Sequence, residues 1–154
     1  MRLCEQDIAL SGKAAALEPL SMAHHEDLVE AVQDGDLHKL WYAHIPSVRE
    51  MRAEISRRLE LHRQGSMYPF AVKHLATQRC VGMTTYLNIE LSQRRLEIGS
   101  TWLRKSIQRS AVNTECKWLL LEYAFEHLNC ICVEFRTHVM NLQSRQAIQR
   151  LGAK

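Results

Sequence analysis

Residues 94–128 read RRLEIGSTWLRKSIQRSAVNTECKWLLLEYAFEHL, and three patterns follow one another within them. Arg94 to Leu103 predicts a strand, with Leu96, Ile98 and Trp102 on one face and Glu97 on the other. Arg104 to Asn113 is polar, basic and without periodicity. From Thr114 to Leu128 the spacing predicts a helix: Trp118, Leu121, Phe125 and Leu128 form one apolar stripe, with Leu120 and Ala124 beside it. Asn113 or Thr114 suits the N-cap, and Glu115 suits the positive end of the helix dipole. A helix start leaves N–H groups unpaired, and Arg104, Lys105 and Arg109 add cations just before it. The unit has the makings of a phosphate or diphosphate seat. Taken on these residues alone, an ordinary surface loop is the plainer reading, since many helices start with basic loops by accident.

Working outward, residues 13–17 predict a short strand ending before Pro19, and His24 to Val32 a helix ending near Gly35. Val48 to Gln64 predicts a stronger helix, in which Met51, Ile55 and Leu59 recur every four residues and Gly65 stops the run. Its charges, among them Arg49, Arg52, Arg57, Arg58 and Arg63, read as a solvated face. Residues 68–75 and Cys80 to Glu90 predict a strand pair turning at Thr77-Gln78-Arg79. In the second of these, Val81, Met83, Thr85, Leu87 and Ile89 alternate with Thr84, Tyr86 and Asn88. Beyond Asn129, Ile131, Val133, Phe135, Thr137 and Val139 alternate with Cys132, Glu134, Arg136 and His138, which predicts another strand over 131–139. Asn141 opens a last helix running to Leu151 and stopped by Gly152. The order βααβββαβα predicts an α/β (α+β) fold with one crossover, in a single domain over residues 1–154.

Composition narrows the function classes. With 46% apolar and 24% charged residues in 154, the chain has enough material for a core and is not disordered. Twenty basic against seventeen acidic residues give a net +3, too little and too scattered for a nucleic-acid binder. No apolar run approaches the roughly 18 residues of a membrane helix, and acids come too early at the N-terminus for a signal peptide, so a cytoplasmic protein is expected. Five cysteines without framework spacing read as reduced thiols. Cys130 and Cys132 read as buried thiols rather than half of a metal site, and no metal is expected. The Walker, G-x-G-x-x-G and G-x-S-x-G patterns are absent, as is local support for Ser–His–Asp or Cys–His catalysis.

Four segments together, LEIGSTWL (96–103), QRSAVNTECK (108–117), LLLEYAFEHL (119–128) and NLQSRQAIQRLGA (141–153), resemble the GNAT superfamily of acyl-CoA-dependent N-acetyltransferases, in particular the branch of ribosomal-protein N-terminal acetyltransferases. The likeness is strongest over residues 68–153. It implies a mixed, mostly antiparallel sheet with helices on both faces, splayed between the fourth and fifth predicted strands. It also implies acetyl-CoA as cosubstrate, a primary amine as acceptor (a protein N-terminus or a small amine) and direct attack on the thioester. Without terminal strands, the likeness leaves a CoA-binding or partner-binding domain of impaired activity as the alternative.

By the same resemblance, Ser100, Thr101, Trp102, Leu103 and Arg104 would offer strand backbone to the pantetheine arm. Arg109, Ser110, Ala111, Val112, Asn113 and Thr114 would hold the diphosphate. These stand where the family has a glycine-rich loop, so side chains would contribute more here. Asn141 and Ser144 would line the cofactor arm, Asn141 also serving as an N-cap, and Ser144 would be a candidate proton donor. Glu97 is the candidate base, with His138 in reserve. Tyr86, Asn88, Trp41 and Tyr42 are candidates for the acceptor side, while Trp102 and Trp118 are expected as core anchors. The family continues with two further strands and commonly uses a Tyr as general acid near the last helix. A chain ending at Lys154 is therefore expected to be C-terminally truncated, with an open sheet edge that a second copy would cover.

Overall fold

The computed structural model describes residues 3–40, 45–137 and 140–154. Trp41, Tyr42 and His138 lie outside the described residues. The sheet is formed by β1 (Leu10–Ser11), β2 (Ala15–Pro19), β3 (Met67–His74), β4 (Arg79–Glu90), β5 (Arg95–Leu103) and β6 (Cys132–Phe135). They lie side by side in sequence order. Every neighbouring pair is antiparallel except β5 and β6, which are parallel. The predicted fourth and fifth strands are thus β5 and β6, because the two-residue β1 precedes the strand expected first. The helices are α1 (His25–Gln33), α2 (Met51–Arg63), α3 (Ala111–Glu122) and α4 (Leu142–Arg150).

Two apolar layers sandwich the sheet. On one face Tyr68, Phe70, Tyr86, Leu96 and Ile98 pack with Val112, Cys116 and Leu120 of α3. On the other, Ala71, Met83 and Trp102 pack with Leu28 and Val32 of α1 and Met51 and Ile55 of α2. Helices therefore cover both faces, as a mixed sheet with a crossover helix requires.

Bulges correct the predicted alternation. Trp102 does not share a face with Leu96 and Ile98: it lies in the α1–α2 layer, and Leu103 joins the α3 layer instead. The pairing of β4 with β5 shifts between Met83↔Trp102 and Thr85↔Gly99, and within that extra length Ser100 takes φ +49°. One added residue reverses the side on which every later side chain falls. A second shift, where Val72↔Gly82 is followed by Lys73↔Cys80, puts Val81 and Met83 on opposite faces. Tyr86 accordingly points into the core, where its hydroxyl donates to Leu120 O at 2.6 Å, and does not border an acceptor site.

The crossover helix begins earlier than predicted. Ser110, not Asn113 or Thr114, is the N-cap, with its Oγ accepting from Val112 N. The buried stripe is Val112, Cys116, Leu120 and Ala124, at four-residue spacing, flanked by Leu119. Trp118 is 57% exposed and Phe125 43% exposed, so neither is a core anchor. Trp118 stands two residues, about 200° of helix, beyond the buried Cys116 and so faces away from the sheet. A π-helical turn, Tyr123–His127, ends the helix. β6 is shorter than the strand predicted over 131–139; Ile131 before it is 66% exposed, and Cys132 is exposed while Cys130 is buried. β1 and β6 are the sheet's edges among the described residues.

Candidate active site

The parallel β5–β6 ladder ends at Ile98↔Phe135, yet β5 continues to Leu103. Gly99 to Leu103 therefore has no strand partner on the β6 side among the described residues, and the two strands part there. Side chains fix the bulge at this point. Thr85 Oγ1 donates to Gly99 O at 2.6 Å, and the hydroxyls of Thr84 and Thr101 lie 2.8 Å apart. From the other face of the sheet, Arg58 of α2 donates through Nη1 to Ser100 O at 3.1 Å.

Arg58 is 1% exposed, which overturns the solvated-face expectation for that side of α2. Its charge is met by Glu54, which accepts from Arg58 Nε at 2.9 Å and from Arg57 Nε at 3.0 Å. Burial opposes ionisation of Glu54, but the hydrogen bonds from Arg57 and Arg58 outweigh it and hold the carboxyl below its ordinary value.

The loop between β5 and α3 is built rather than loose. Gln108 Nε2 donates to Leu103 O at 2.9 Å, and Gln108 Oε1 accepts from Gln143 Nε2 of α4 at 3.0 Å. Arg109 stands at φ +62° immediately before the cap, and Ser110 Oγ donates back to Ile107 O at 2.5 Å. Arg104 turns toward α1: Nε lies 2.9 Å from Asp34 Oδ2 and Nη1 3.7 Å from Glu30 Oε1. Ser106 N donates to the same Asp34 oxygen at 3.1 Å. Hydrogen bonds from Ser106 and Arg104 hold the Asp34 carboxyl below its usual value. Glu30 also pairs with Arg79 at the start of β4, whose Nη2 lies 3.2 Å from Asp27 Oδ1.

Two cavities meet where the strands part. The smaller, about 130 Å³, lies on the loop side between Gln108, Asn113 and Gln143. The larger, about 440 Å³, lies on the bulge side between Ser100, Arg58, Phe135 and Ile148. Thr101, Lys117, Asn141 and Ser144 line both. Asn141 is the N-cap of α4, its Oδ1 accepting from Ser144 N at 3.2 Å.

The predicted residues do not all come together. Ser100, Thr101, Asn113, Asn141 and Ser144 converge on the cavities. Trp102 and Leu103 also border the smaller cavity while their side chains are largely buried, and Val112 is buried in the α3 layer. Arg109, Ser110, Ala111 and Thr114 are exposed around the helix start, whereas Arg104 is engaged by α1. Glu97 lines a separate polar cavity of about 280 Å³ with Asn88 and Arg136. Its Oε1 accepts from Asn88 Nδ2 at 3.2 Å and lies 3.2 Å from Arg136 Nε. Arg136 borders both this cavity and the larger one.

Sequence reading missed Lys117, Arg58 and Gln108. For Lys117 the signal was there: a lone cation in the apolar run CKWLLL. Among the described residues no group of three His, Cys, Asp or Glu side chains is placed to hold a metal, and no helix is long and apolar enough to cross a membrane.

Residues 15–154 match the family model described as an acetyltransferase (GNAT) domain. No curated protein sequence matches. Among solved structures, a T. thermophilus protein described as an acetyltransferase is 27% identical, with a TM-score of 0.81 over 95% of this chain and 75% of its own. The ribosomal L7/L12 α-N-protein acetyltransferase RimL is 18% identical, with a TM-score of 0.78 over 94% of this chain and 80% of its own. Mycobacterium smegmatis RimJ, in complex with CoA-disulfide, is 19% identical, with a TM-score of 0.74 over 90% of this chain and 69% of its own.

Proposed function

The chain belongs to the GNAT acetyltransferase family, and on that premise we propose that it transfers an acetyl group from acetyl-CoA to a primary amine, a protein N-terminus or a small amine, as a single cytoplasmic domain. The observation that carries this reading is the run Gly99–Leu103, which among the described residues has no strand partner on the β6 side and opens onto cavities shared by the α3 start and α4. Unpaired strand backbone suits the amide groups of a pantetheine arm. Arg109 and the first turn of α3 suit a diphosphate, and Asn141 and Ser144 suit the arm between them.

Once the thioester is bound, the residues divide the work. Backbone N–H groups of the bulge polarise the carbonyl, and the neutral amine attacks it without a covalent enzyme intermediate. Glu97 takes the ammonium proton, reaching the larger cavity past Arg136 through water. Ser144, on the wall shared by both cavities, offers its hydroxyl as a hydrogen-bond donor to the thioester. A second reading, CoA binding without transfer, draws on the placement of Glu97: its carboxylate is engaged by Asn88 and Arg136 in a cavity of its own. A second copy pairing along the β6 edge completes the proposal, checked by sedimentation.

The test is calorimetric titration with CoA, followed by thiol release with a panel of amines. No binding at millimolar CoA overturns both readings. Binding with no thiol release from any amine selects the second.

A further inference from the structure

Lys117 is, among the described residues, the one charged side chain that lines both cavities. It is 7% exposed, and Nζ donates to Asn113 Oδ1 at 3.2 Å, its only hydrogen-bond partner among the described residues. An ammonium carries three donors, so two remain without a protein acceptor there. Nor does any described carboxylate line the two cavities. The larger cavity adds Arg57 and Arg58 from α2 and Arg136 from the segment after β6. β5 contributes Thr101, and α4 contributes Asn141 and Ser144. On its own helix Cys116 adjoins it, a thiol pushed up to about 12 by burial. Burial pushes the Lys117 ammonium below its ordinary value, with Cys116 opposing.

A buried cation without a counter-charge is costly unless an anion arrives beside it or it gives up a proton. Aminolysis of a thioester makes both happen at one atom, because the sulfur leaves as an anion and ends as a thiol. We propose that Lys117 is the acid that protonates the departing CoA thiolate, an inference that rests on the transfer reading above. The amine nitrogen bonds to the carbonyl carbon, and the carbon–sulfur bond breaks with its electron pair left on sulfur. A proton passes from Nζ to sulfur. The proton lost by the acceptor nitrogen leaves through Glu97 and water, and Lys117 is recharged from water. Nothing is oxidised or reduced. A proton held loosely by burial passes more readily to sulfur than that of an ordinary lysine, whose pKa lies well above a thiol's.

The test reads the thiol of bound CoA by its ultraviolet thiolate absorbance across pH, against the complex with desulfo-CoA to cancel the protein's own cysteines. In the wild-type complex the bound thiol titrates about one pH unit or more below that of free CoA, as an adjacent cation demands. Lys117→Arg keeps a downward shift but holds its proton too tightly to serve as an acid, and slows acetyl transfer about 100-fold or more. Lys117→Met returns the thiol to the free value or above it and is slowed as much. A Lys117→Arg protein that transfers acetyl at the wild-type rate overturns the proposal. A wild-type complex with an unshifted thiol overturns the proposal even if neither variant folds. So does a Lys117→Met complex that titrates like wild type, or a folded Lys117→Met that no longer binds CoA, which would make Lys117 an affinity ligand instead. Failure of the wild type to bind CoA at all defeats the transfer reading itself, an outcome distinct from binding with an unshifted thiol.

Discussion

Arg58 on α2 and Ser100 on β5, 42 residues apart in sequence, are joined through a hydrogen bond of 3.1 Å from a buried guanidinium to the carbonyl at the apex of the β5 bulge. The helix on one face of the sheet thereby holds the strand geometry that opens the cleft. Replacing Arg58 by Met leaves Glu54 buried with only Arg57 beside it and releases the Ser100 carbonyl. Breaking such a pair typically costs about 3–5 kcal/mol. Urea denaturation of Arg58→Met is expected to show a loss of that size. Arg58→Lys is expected to recover only part of it, since an ammonium cannot serve Glu54 and Ser100 with one planar fork.

The same carboxylate gives stability a pH signature. The Glu54 pKa is depressed in the folded protein relative to its ordinary value of 4.5. Its contribution is therefore fully present above the unfolded value and is lost as pH falls through the folded one. Asp34 acts in the same direction. Denaturant midpoints measured across the acid range should fall with decreasing pH, and Glu54→Gln should flatten that slope.

Arg109 stands exposed next to the α3 cap, where a diphosphate would lie under the proposed function. Arg109→Ala removes a charge-assisted contact of about 1.5–3 kcal/mol. Calorimetry should register CoA affinity weaker by about 10-fold or more, with the unfolding temperature unchanged.

Gly82 sits where β4 passes the end of β5. A Cβ there would fall 2.1 Å from Trp102 O, a backbone atom that cannot swing aside. Gly82→Ala should destabilise the protein by about 1–3 kcal/mol in thermal or urea unfolding, the usual scale of forced overpacking.

How much of this could be read from the chain depends on whether a contact is local. Alternation and four-residue spacing located α1, α2, β3, β4 and β5 within a few residues, because burial against one face leaves a periodic trace. The N-cap of α4 at Asn141 was legible for the same reason. The β5 bulge was not, since its cause lies in partners on other elements: Thr84 and Thr85 on β4 and Arg58 on α2. Plain alternation without the bulge puts Trp102 in the layer of Leu96 and Ile98, whereas it lies in the α1–α2 layer. Arg58 looked like one more surface charge, because nothing local distinguishes it from Arg57, which is half exposed. The convergence of Asn113, Lys117, Asn141 and Ser144 is likewise a product of the crossover, which brings α3 and α4 to the same parted strands.

The acidic side of α1 has a mechanical consequence. Glu30 meets Arg79 and Arg104, and Asp34 grips Arg104 and the Ser106 amide, so the β3–β4 turn and the β5–α3 turn are braced by one helix. The basic turn is thus a shelf rather than a flap. Under the proposed function, a diphosphate arriving there would find the turn already ordered and would forfeit little ordering entropy.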